Sequence, residues 1–392
     1  MTIRKTLVTP ISAGIFMHNC PMPPTRINSI LYTISKRTSD NNLIEGNIIK
    51  GFGFGIFALG MGANLDNLTA VTDSYDKNNR FIDNYIDDVS RGGIWIGYQE
   101  NPVISRNRIT RVSGIPGSGL ITFGIGMGEK NITPNVMNGI KLSPNNYNVT
   151  IEKNEISDVS SDNHAYGMLI TEPGDVLTFY NRNYNTLEQI RVRYNEPNYP
   201  LNLSQATTQK YTVSNNIVRD IMSINNENYT TSRTGIAFSP STELLGADEN
   251  YIKRVLISNN TIVIADEDVA LSQAVHDGLN YSGKSVSGIT VMDVENFEIF
   301  NNAIYIKTDA RAPYDYMSAI TLRSMNPKLI KDKINIDHNA YYLRDSMVYG
   351  YTPQPDRQPN DEISYVRFFE LDKQGRLLDN GGFKTEYTSF RN

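Results

Sequence analysis

The side chains best suited to acid–base chemistry lie in one stretch of the chain, between residues 91 and 172. They comprise two cations, two carboxylates and an imidazole: Arg91, Lys141, Asp162, His164 and Glu172. Two carboxyl groups about 5–9 Å apart can hydrolyse a glycosidic bond, and Asp162 with Glu172 is the first such pair. They flank one short predicted strand and would lie ~15 Å or more apart along it. Hydrolysis would therefore need a carboxylate from a neighbouring strand or from another subunit.

A second reaction would use the same stretch differently. Elimination from a uronate polymer removes the proton next to the sugar carboxylate, which requires a base and a cation that neutralises that carboxylate. Lys141 and Arg91 can serve here, with His164 or Tyr166 nearby. Hydrolysis and elimination both stay open at this point.

Three aromatic residues are candidates for binding a sugar. If the apolar residue after each strand glycine points inward, the next residue points outward, which places Phe57 and Trp95 on an outer face with Tyr98 just beyond. An exposed aromatic face can contact the apolar face of a sugar ring. Long insertions at 116–138 and 172–210 would form the walls of such a groove.

Composition narrows the class of protein. The chain has 392 residues, of which 39% are hydrophobic, and a formal net charge of -5. This apolar content is sufficient for a packed core, whereas the charge is unlike that of a nucleic-acid binder. No apolar run approaches ~18 residues, so we expect no membrane insertion. One cysteine and four histidines exclude an internal disulfide and leave little material for a metal site, so we expect no metal and no cofactor.

Two repeated phrases organise the chain. The first, apolar-x-x-Asn-x-apolar, places asparagines in equivalent positions: Asn28, Asn47, Asn84, Asn107, Asn154, Asn215, Asn260, Asn302 and Asn339. The second is a glycine followed by an apolar-x-apolar triplet, as at Gly55, Gly93, Gly139 and Gly167. Its period of two is that of a strand. Asparagine tolerates left-handed backbone in a turn, and its amide can bond the same residue of the next unit.

A unit of two or three short strands cannot bury its own apolar face, so the units must stack. The sequence therefore predicts an all-β fold, a right-handed single-stranded parallel β-helix with long loop insertions. We expect residues 1–345 to form the β-helix, with about 9–11 coils, and residues 346–392 to close it with strands and a Pro-rich loop.

The repeat resembles that of the right-handed parallel β-helix family, which includes pectate-lyase-like enzymes, alginate-type lyases and epimerases, and phage tailspikes. The resemblance implies a carbohydrate-active protein, and we expect a phage or prophage tailspike depolymerase. Such a protein would bind and cleave a capsular or O-antigen polysaccharide as a homotrimer, on the virion tail or outside the cell. No catalytic residue can be carried over from the family, because no family motif aligns residue by residue.

Two alternatives stay open. One is a secreted bacterial polyuronate lyase or epimerase, and the other is a non-catalytic polysaccharide-binding adhesin. The first strand phrase begins at Gly14 with no capping segment and no secretory signal before it. A solenoid end without a cap exposes strand edges, which favours a further N-terminal domain and the tailspike.

Overall fold

The fold was analysed in a computed structural model. It describes residues 12–18, 38–60, 75–115, 118–128, 146–172, 176–181, 186–191, 210–223, 232–239, 252–265, 285–292, 294–307, 316–324, 334–344, 364–368, 370–371 and 377–378. All structural statements below refer to these ranges.

Three long sheets contain most of the described strands. Sheet A consists of β1 (Ala13–His18), β4 (Phe54–Leu59), β8 (Gly92–Gly97), β12 (Thr122–Gly128), β15 (His164–Thr171), β21 (Ser232–Phe238), β24 (Ser285–Met292), β27 (Tyr316–Ser324) and β30 (Ser364–Phe368). Sheet B consists of β2 (Leu43–Glu45), β6 (Arg80–Ile82), β10 (Val103–Ser105), β13 (Val149–Glu152), β18 (Lys210–Ser214), β22 (Ile252–Ser258), β25 (Val294–Phe300) and β28 (Ile334–Asp337).

Sheet C consists of β3 (Ile48–Lys50), β7 (Tyr85–Val89), β11 (Arg108–Ser113), β14 (Glu155–Ser161), β19 (Ile217–Arg219), β20 (Ile221–Ser223), β23 (Thr261–Ala265), β26 (Ala303–Lys307) and β29 (Ala340–Arg344). Three strand pairs lie outside these sheets: β5 (Asp76–Lys77) with β9 (Gln99–Glu100), β16 (Val176–Asn181) with β17 (Thr186–Arg191), and β31 (Glu370–Leu371) with β32 (Leu377–Leu378).

The chain visits the sheets in the order B, C, A in every coil. Each strand pairs in parallel with the equivalent strands of the coils before and after it, except that β30 pairs antiparallel with β27. The described strands give seven complete coils, with β1 before them and β28 and β29 after them. The structure is thus a right-handed parallel β-helix, which confirms the predicted fold. We name its corners by the sheets they join: B–C, C–A and A–B.

Like residues stack on like residues inside the coil. The residue after each strand glycine of sheet A, or after Ala319 in β27, points into a continuous buried core: Ile56, Ile94, Ile125, Met168, Ile236, Ile289 and Ile320. Isoleucine and valine of sheets B and C fill the rest of this core. Because each side chain contacts its equivalent one coil away, a short unit buries its apolar face only by stacking.

An asparagine ladder follows the B–C corner through eight coils. Each side-chain amide donates to the side-chain oxygen of the next asparagine at 2.9 Å, along Asn47, Asn84, Asn107, Asn154, Asn216, Asn260, Asn302 and Asn339. The prediction of Asn215 was wrong by one residue, and Asn28 lies outside the described residues. The left-handed conformation belongs to the residue before each ladder asparagine, such as Asn215 (φ 58°). The amide therefore pairs across coils, and its neighbour makes the turn.

A glycine ladder runs through sheet A because no side chain fits there. A Cβ atom on Gly93 would lie 2.5 Å from the Gly124 carbonyl oxygen and 2.5 Å from the Ile109 side chain of sheet C. Gly124 is the member of this ladder in β12. The expectation that 116–138 is an insertion was therefore wrong, since β12 lies within it. The phrase at Gly139 lies outside the described residues.

Candidate functional site

The two ends of the sheet A strands carry different side chains, and the predicted site residues divide between them. Gly92, Phe123, Tyr166 and Thr234 are register partners on four successive coils. Arg91, Asp162, His164 and Ser232 lie just before these positions and therefore follow the C–A corner. Successive coils are about 4.8 Å apart, so the row from Arg91 to Ser232 spans about 14 Å. We call Arg91, Asp162, His164, Tyr166 and Ser232 the corner site.

Three members of the corner site are linked by hydrogen bonds across two coils. The backbone N–H of Ser232 donates to Nδ1 of His164 at 3.1 Å, and the Ser232 hydroxyl lies 2.8 Å from the same nitrogen. The Tyr166 hydroxyl lies 3.4 Å from the Ser232 hydroxyl. Burial raises the pKa of Tyr166, against the opposing effect of its hydrogen bond to Ser232. The phenol is therefore protonated at neutral pH.

The other two members have buried polar atoms without a hydrogen-bond partner. Asp162 is 6% exposed, and its Oδ2 accepts a long bond of 3.4 Å from the Gly119 N–H. In the part of the chain that the structure describes, neither Oδ1 of Asp162 nor Nε of Arg91 has a partner. Burial lowers the pKa of Arg91 to about 10, and its guanidinium lies 5.8 Å from the Phe54 ring centroid. Unpaired buried polar groups are costly and rare, which favours a ligand at this corner.

Glu172 lies at the opposite end of β15 and is not part of this site. The A–B corner holds it at 0% exposure. Its oxygens accept from the Asn146 backbone N–H at 2.8 Å, the Asn146 side-chain amide at 2.5 Å, and the Tyr211 hydroxyl. Asp162 and Glu172 flank an eight-residue strand, so they are about 25 Å apart. The prediction of Asp162 and Glu172 as one hydrolytic pair was therefore wrong.

The expected aromatic platform is also wrong, because its rings are covered. Phe57 and Trp95 lie on the outer face of sheet A, as predicted, but both are 0% exposed, and so is Tyr98. The Phe57 and Trp95 rings stack at 4.4 Å, and the Trp95 indole N–H donates to the Gly128 carbonyl at 3.3 Å. Tyr98 belongs to the A–B corner, where it contacts the Tyr75 ring at 5.6 Å. These rings stabilise the fold and present no surface to a sugar.

Sequence reasoning found Arg91, Asp162, His164 and Tyr166, but missed Ser232. The spacing to the strand glycines could have identified Ser232. His164 and Ser232 each lie three residues before the glycine of their own coil, Gly167 and Gly235, and are register partners. Lys141 lies outside the described residues.

Among the described side chains, no three metal-binding groups come together, and no described helix is long and apolar enough to cross a bilayer. The side chains of the corner site are those of acid–base chemistry. The site combines one carboxylate, one cation, one imidazole and two hydroxyl groups, enough for proton transfer next to an anionic group.

Comparisons with known proteins agree with this architecture. Residues 25–218 match the family model described as the right handed beta helix region. Neither the curated proteins nor the solved structures include a match to the chain. The matched region, the three parallel sheets and the asparagine ladder together show that the chain folds as a right-handed parallel β-helix.

Proposed function

We propose that the chain is a polysaccharide depolymerase of the tailspike type, which binds and cleaves an acidic bacterial surface polysaccharide at the corner site. One observation supports this most strongly. Buried polar atoms of Arg91 and Asp162 have no partner in the described structure, while His164, Tyr166 and Ser232 lie on the same corner. A bound sugar would provide the missing hydrogen bonds.

The composition of the site favours elimination over hydrolysis. Hydrolysis uses two carboxyl groups about 5–9 Å apart, whereas Asp162 is the one carboxylate of the corner site and Glu172 is about 25 Å away. Elimination needs one base, one proton donor and one cation. We assign Asp162 as the base, because it is the carboxylate of the corner site and its Oδ1 accepts no hydrogen bond from the described residues.

The remaining roles follow from charge and protonation. Arg91 is the cation that binds the uronate carboxylate. Tyr166, protonated at neutral pH because burial raises its pKa, donates a proton to the leaving oxygen. In this step Asp162 takes the proton next to the carboxylate, that electron pair forms a carbon–carbon double bond, and the glycosidic carbon–oxygen bond breaks. The product carries an unsaturated uronate at its new non-reducing end.

The test is a panel of capsular, O-antigen and uronate polysaccharides, with reducing ends and ultraviolet absorbance of unsaturated products measured together. We expect both signals to rise together on an acidic polymer. Reducing ends without absorbance would indicate a hydrolase and overturn the elimination. Binding without either signal would favour the adhesin alternative, and both signals on polyuronates alone would favour a secreted lyase.

We further propose that the protein acts as a homotrimer, on a virion tail or outside the cell. The outer face of sheet C supports self-association. In its last coils Tyr305 and Tyr342 stack at 4.6 Å, Tyr342 is 44% exposed, and Ala303 and Ala340 are exposed beside them. Exposed tyrosine and alanine rows suit an interface between copies of the chain, with Lys307 and Arg344 in the next row at its rim. Light scattering should give three times the chain mass, and Tyr342→Glu should lower it; a stable monomer would contradict the trimer.

A further inference from the structure

We infer that Ser161 is a positioning residue for Asp162: its hydroxyl closes the turn that carries the carboxyl group and holds the loop 118–121 of the previous coil against it. Ser161 ends β14 and is 1% exposed, and Asp162 follows it directly at the C–A corner. The contacts of Ser161 do not depend on the proposed function, whereas its role in turnover rests on it.

The hydroxyl of Ser161 closes a turn around Asp162. Its oxygen accepts a hydrogen bond from the backbone N–H of Asn163 at 3.0 Å, so the bond spans the residue between them. A serine that bonds the N–H two residues further on restricts the backbone of the intervening residue. Asp162 lies in the two-residue connection between β14 and β15. The bond therefore restrains the backbone from which the carboxyl group extends.

The same hydroxyl also reaches the previous coil. It donates to the Leu120 carbonyl at 2.7 Å, and the Asn163 side-chain amide donates to the Gly119 carbonyl at 2.7 Å. These two bonds hold consecutive peptide groups of the loop 118–121. The Gly119 N–H in turn donates to Oδ2 of Asp162 at 3.4 Å. The residues on both sides of Asp162 therefore hold the loop that contacts its carboxyl group.

Other bonds fix the two ends of this loop. The Thr122 hydroxyl donates to the Ser160 carbonyl at 3.0 Å, and the Gly114 N–H donates to the same carbonyl at 2.8 Å. They join the connection between β11 and β12 to the next coil through the backbone of Ser160 alone. Removal of the Ser161 hydroxyl should therefore loosen the loop and the turn at Asp162 while the coil keeps its fold.

Asp162 depends on this restraint because its own bonds are few. Among the described residues, its carboxyl group has the long bond from Gly119 at Oδ2 and no partner at Oδ1. The turn and the loop that Ser161 restrains therefore hold it in place. A catalytic group displaced by about 1 Å can lose about a hundredfold in rate, so a loosened base should remove its proton more slowly.

The first test is amide hydrogen exchange of the full chain, which needs no substrate. Ser161→Ala should speed exchange in the loop 118–121 by about tenfold, because the bond to the Leu120 carbonyl is lost. Ser160→Ala is the matched control, since it removes the adjacent hydroxyl and keeps the carbonyl that bonds the loop ends. Unchanged exchange in Ser161→Ala, or an equal increase in both variants, would overturn the restraint.

The second test is hydroxyl removal and rescue on the cleaved polysaccharide. Ser161→Ala should lower kcat about tenfold with little change in KM, because the base is misplaced while the groups that bind the sugar are untouched. Ser161→Thr keeps a hydroxyl and should restore most of the activity, and Ser160→Ala should match the wild type. A folded Ser161→Thr variant as slow as Ser161→Ala would contradict the positioning role.

The third test asks whether Ser161 acts through Asp162. In the Asp162→Asn background the proposed base is already lost, so Ser161→Ala should lower the residual cleavage by less than about twofold. The same tenfold loss in both backgrounds would show an independent role and would overturn the inference. If no polysaccharide is cleaved, the proposed function fails, and the exchange experiment still decides whether Ser161 holds the loop.

Discussion

The C–A and A–B corners are built from the same strands of sheet A, yet they treat buried polar groups in opposite ways. At the A–B corner, Asn79, Gln99, Asn146 and Glu172 bond one another from coil to coil, and Tyr211 donates to the last of them. At the C–A corner, Oδ1 of Asp162 and Nε of Arg91 have no partner among the described residues. The amides and the carboxylate of this A–B row are bonded inside the protein, whereas Asp162 and Arg91 at the C–A corner have unused hydrogen-bonding capacity.

This difference separates structural from functional carboxylates. A buried group whose hydrogen bonds are all made inside the protein stabilises the fold and has nothing to offer a ligand. A buried group without a partner raises the free energy of the folded state unless something binds it. Burial alone therefore does not distinguish Glu172 from Asp162, whereas their hydrogen bonds do.

The largest effect on stability is expected from Glu172→Ala. The substitution leaves the Asn146 N–H, the Asn146 side-chain amide and the Tyr211 hydroxyl without their acceptor. We expect a loss of about 3–5 kcal/mol in the free energy of unfolding, measured in urea. Glu155→Ala, at a partly exposed carboxylate of sheet C, is the control and should lose less than about 1 kcal/mol. Similar losses in both variants would remove the distinction between the corners.

The asparagine ladder extends the comparison to the third corner. Asn154 is buried, and its amide donates to Asn216 and to the Ile104 carbonyl. Asn154→Leu should therefore lower the free energy of unfolding by about 1–3 kcal/mol. Asn335 is exposed on β28 of sheet B and has an ordinary strand backbone, so Asn335→Leu should change the free energy of unfolding by less than about 0.5 kcal/mol. A loss of a few tenths at Asn154 would mean that the ladder is solvated and unimportant.

The free energy of unfolding should depend on pH through Asp87, a carboxylate of sheet C whose ion pairs are made within the protein. Asp87 has a 1% exposed side chain and pairs with Arg111 at 2.5 Å and Lys50 at 3.1 Å. The hydrogen bond from Arg111, then that from Lys50, lowers the pKa of Asp87 from 3.8 to about 2 despite its burial. Its stabilisation is therefore complete above about pH 4 and is lost as the pH falls towards 2.

The expected size of this loss is about 1–2 kcal/mol, because both cations are exposed and screened by solvent. Urea unfolding of the wild type and of Asp87→Asn, measured from pH 5 to pH 2, checks it. The two curves should converge as the pH falls. Parallel curves would show that the charge of Asp87 does not contribute to the free energy of unfolding.

The fold could be predicted from the sequence because asparagine and glycine recur at equivalent positions of the coils, and each has a single structural role there. Asn154 lies where its amide must pair with the next coil, and Gly93 lies where no side chain fits against the next coil. The spacing between successive asparagines, or between successive glycines, therefore marks successive coils. The site was only partly predictable. Arg91 and His164 could be chosen by residue type within one stretch of the chain, but the alternation that places Trp95 on an outer face says nothing about what covers it. Glu172 looked equivalent to Asp162 because its partners Asn146 and Tyr211 lie far from it in the sequence and reach it from neighbouring coils.

The smallest effect on stability, and the sharpest test of the comparison, is expected from Asp162→Asn. The amide keeps the shape of the carboxyl group and can still accept from the Gly119 N–H, and it replaces a buried carboxyl group whose Oδ1 has no described partner. The free energy of unfolding should therefore change by less than about 0.5 kcal/mol or rise slightly. Cleavage of the polysaccharide should fall by about a hundredfold or more, because the proposed base is lost. A loss of more than about 2 kcal/mol with cleavage retained would show that Asp162, like Glu172, is structural, and the catalytic site would then have to lie elsewhere.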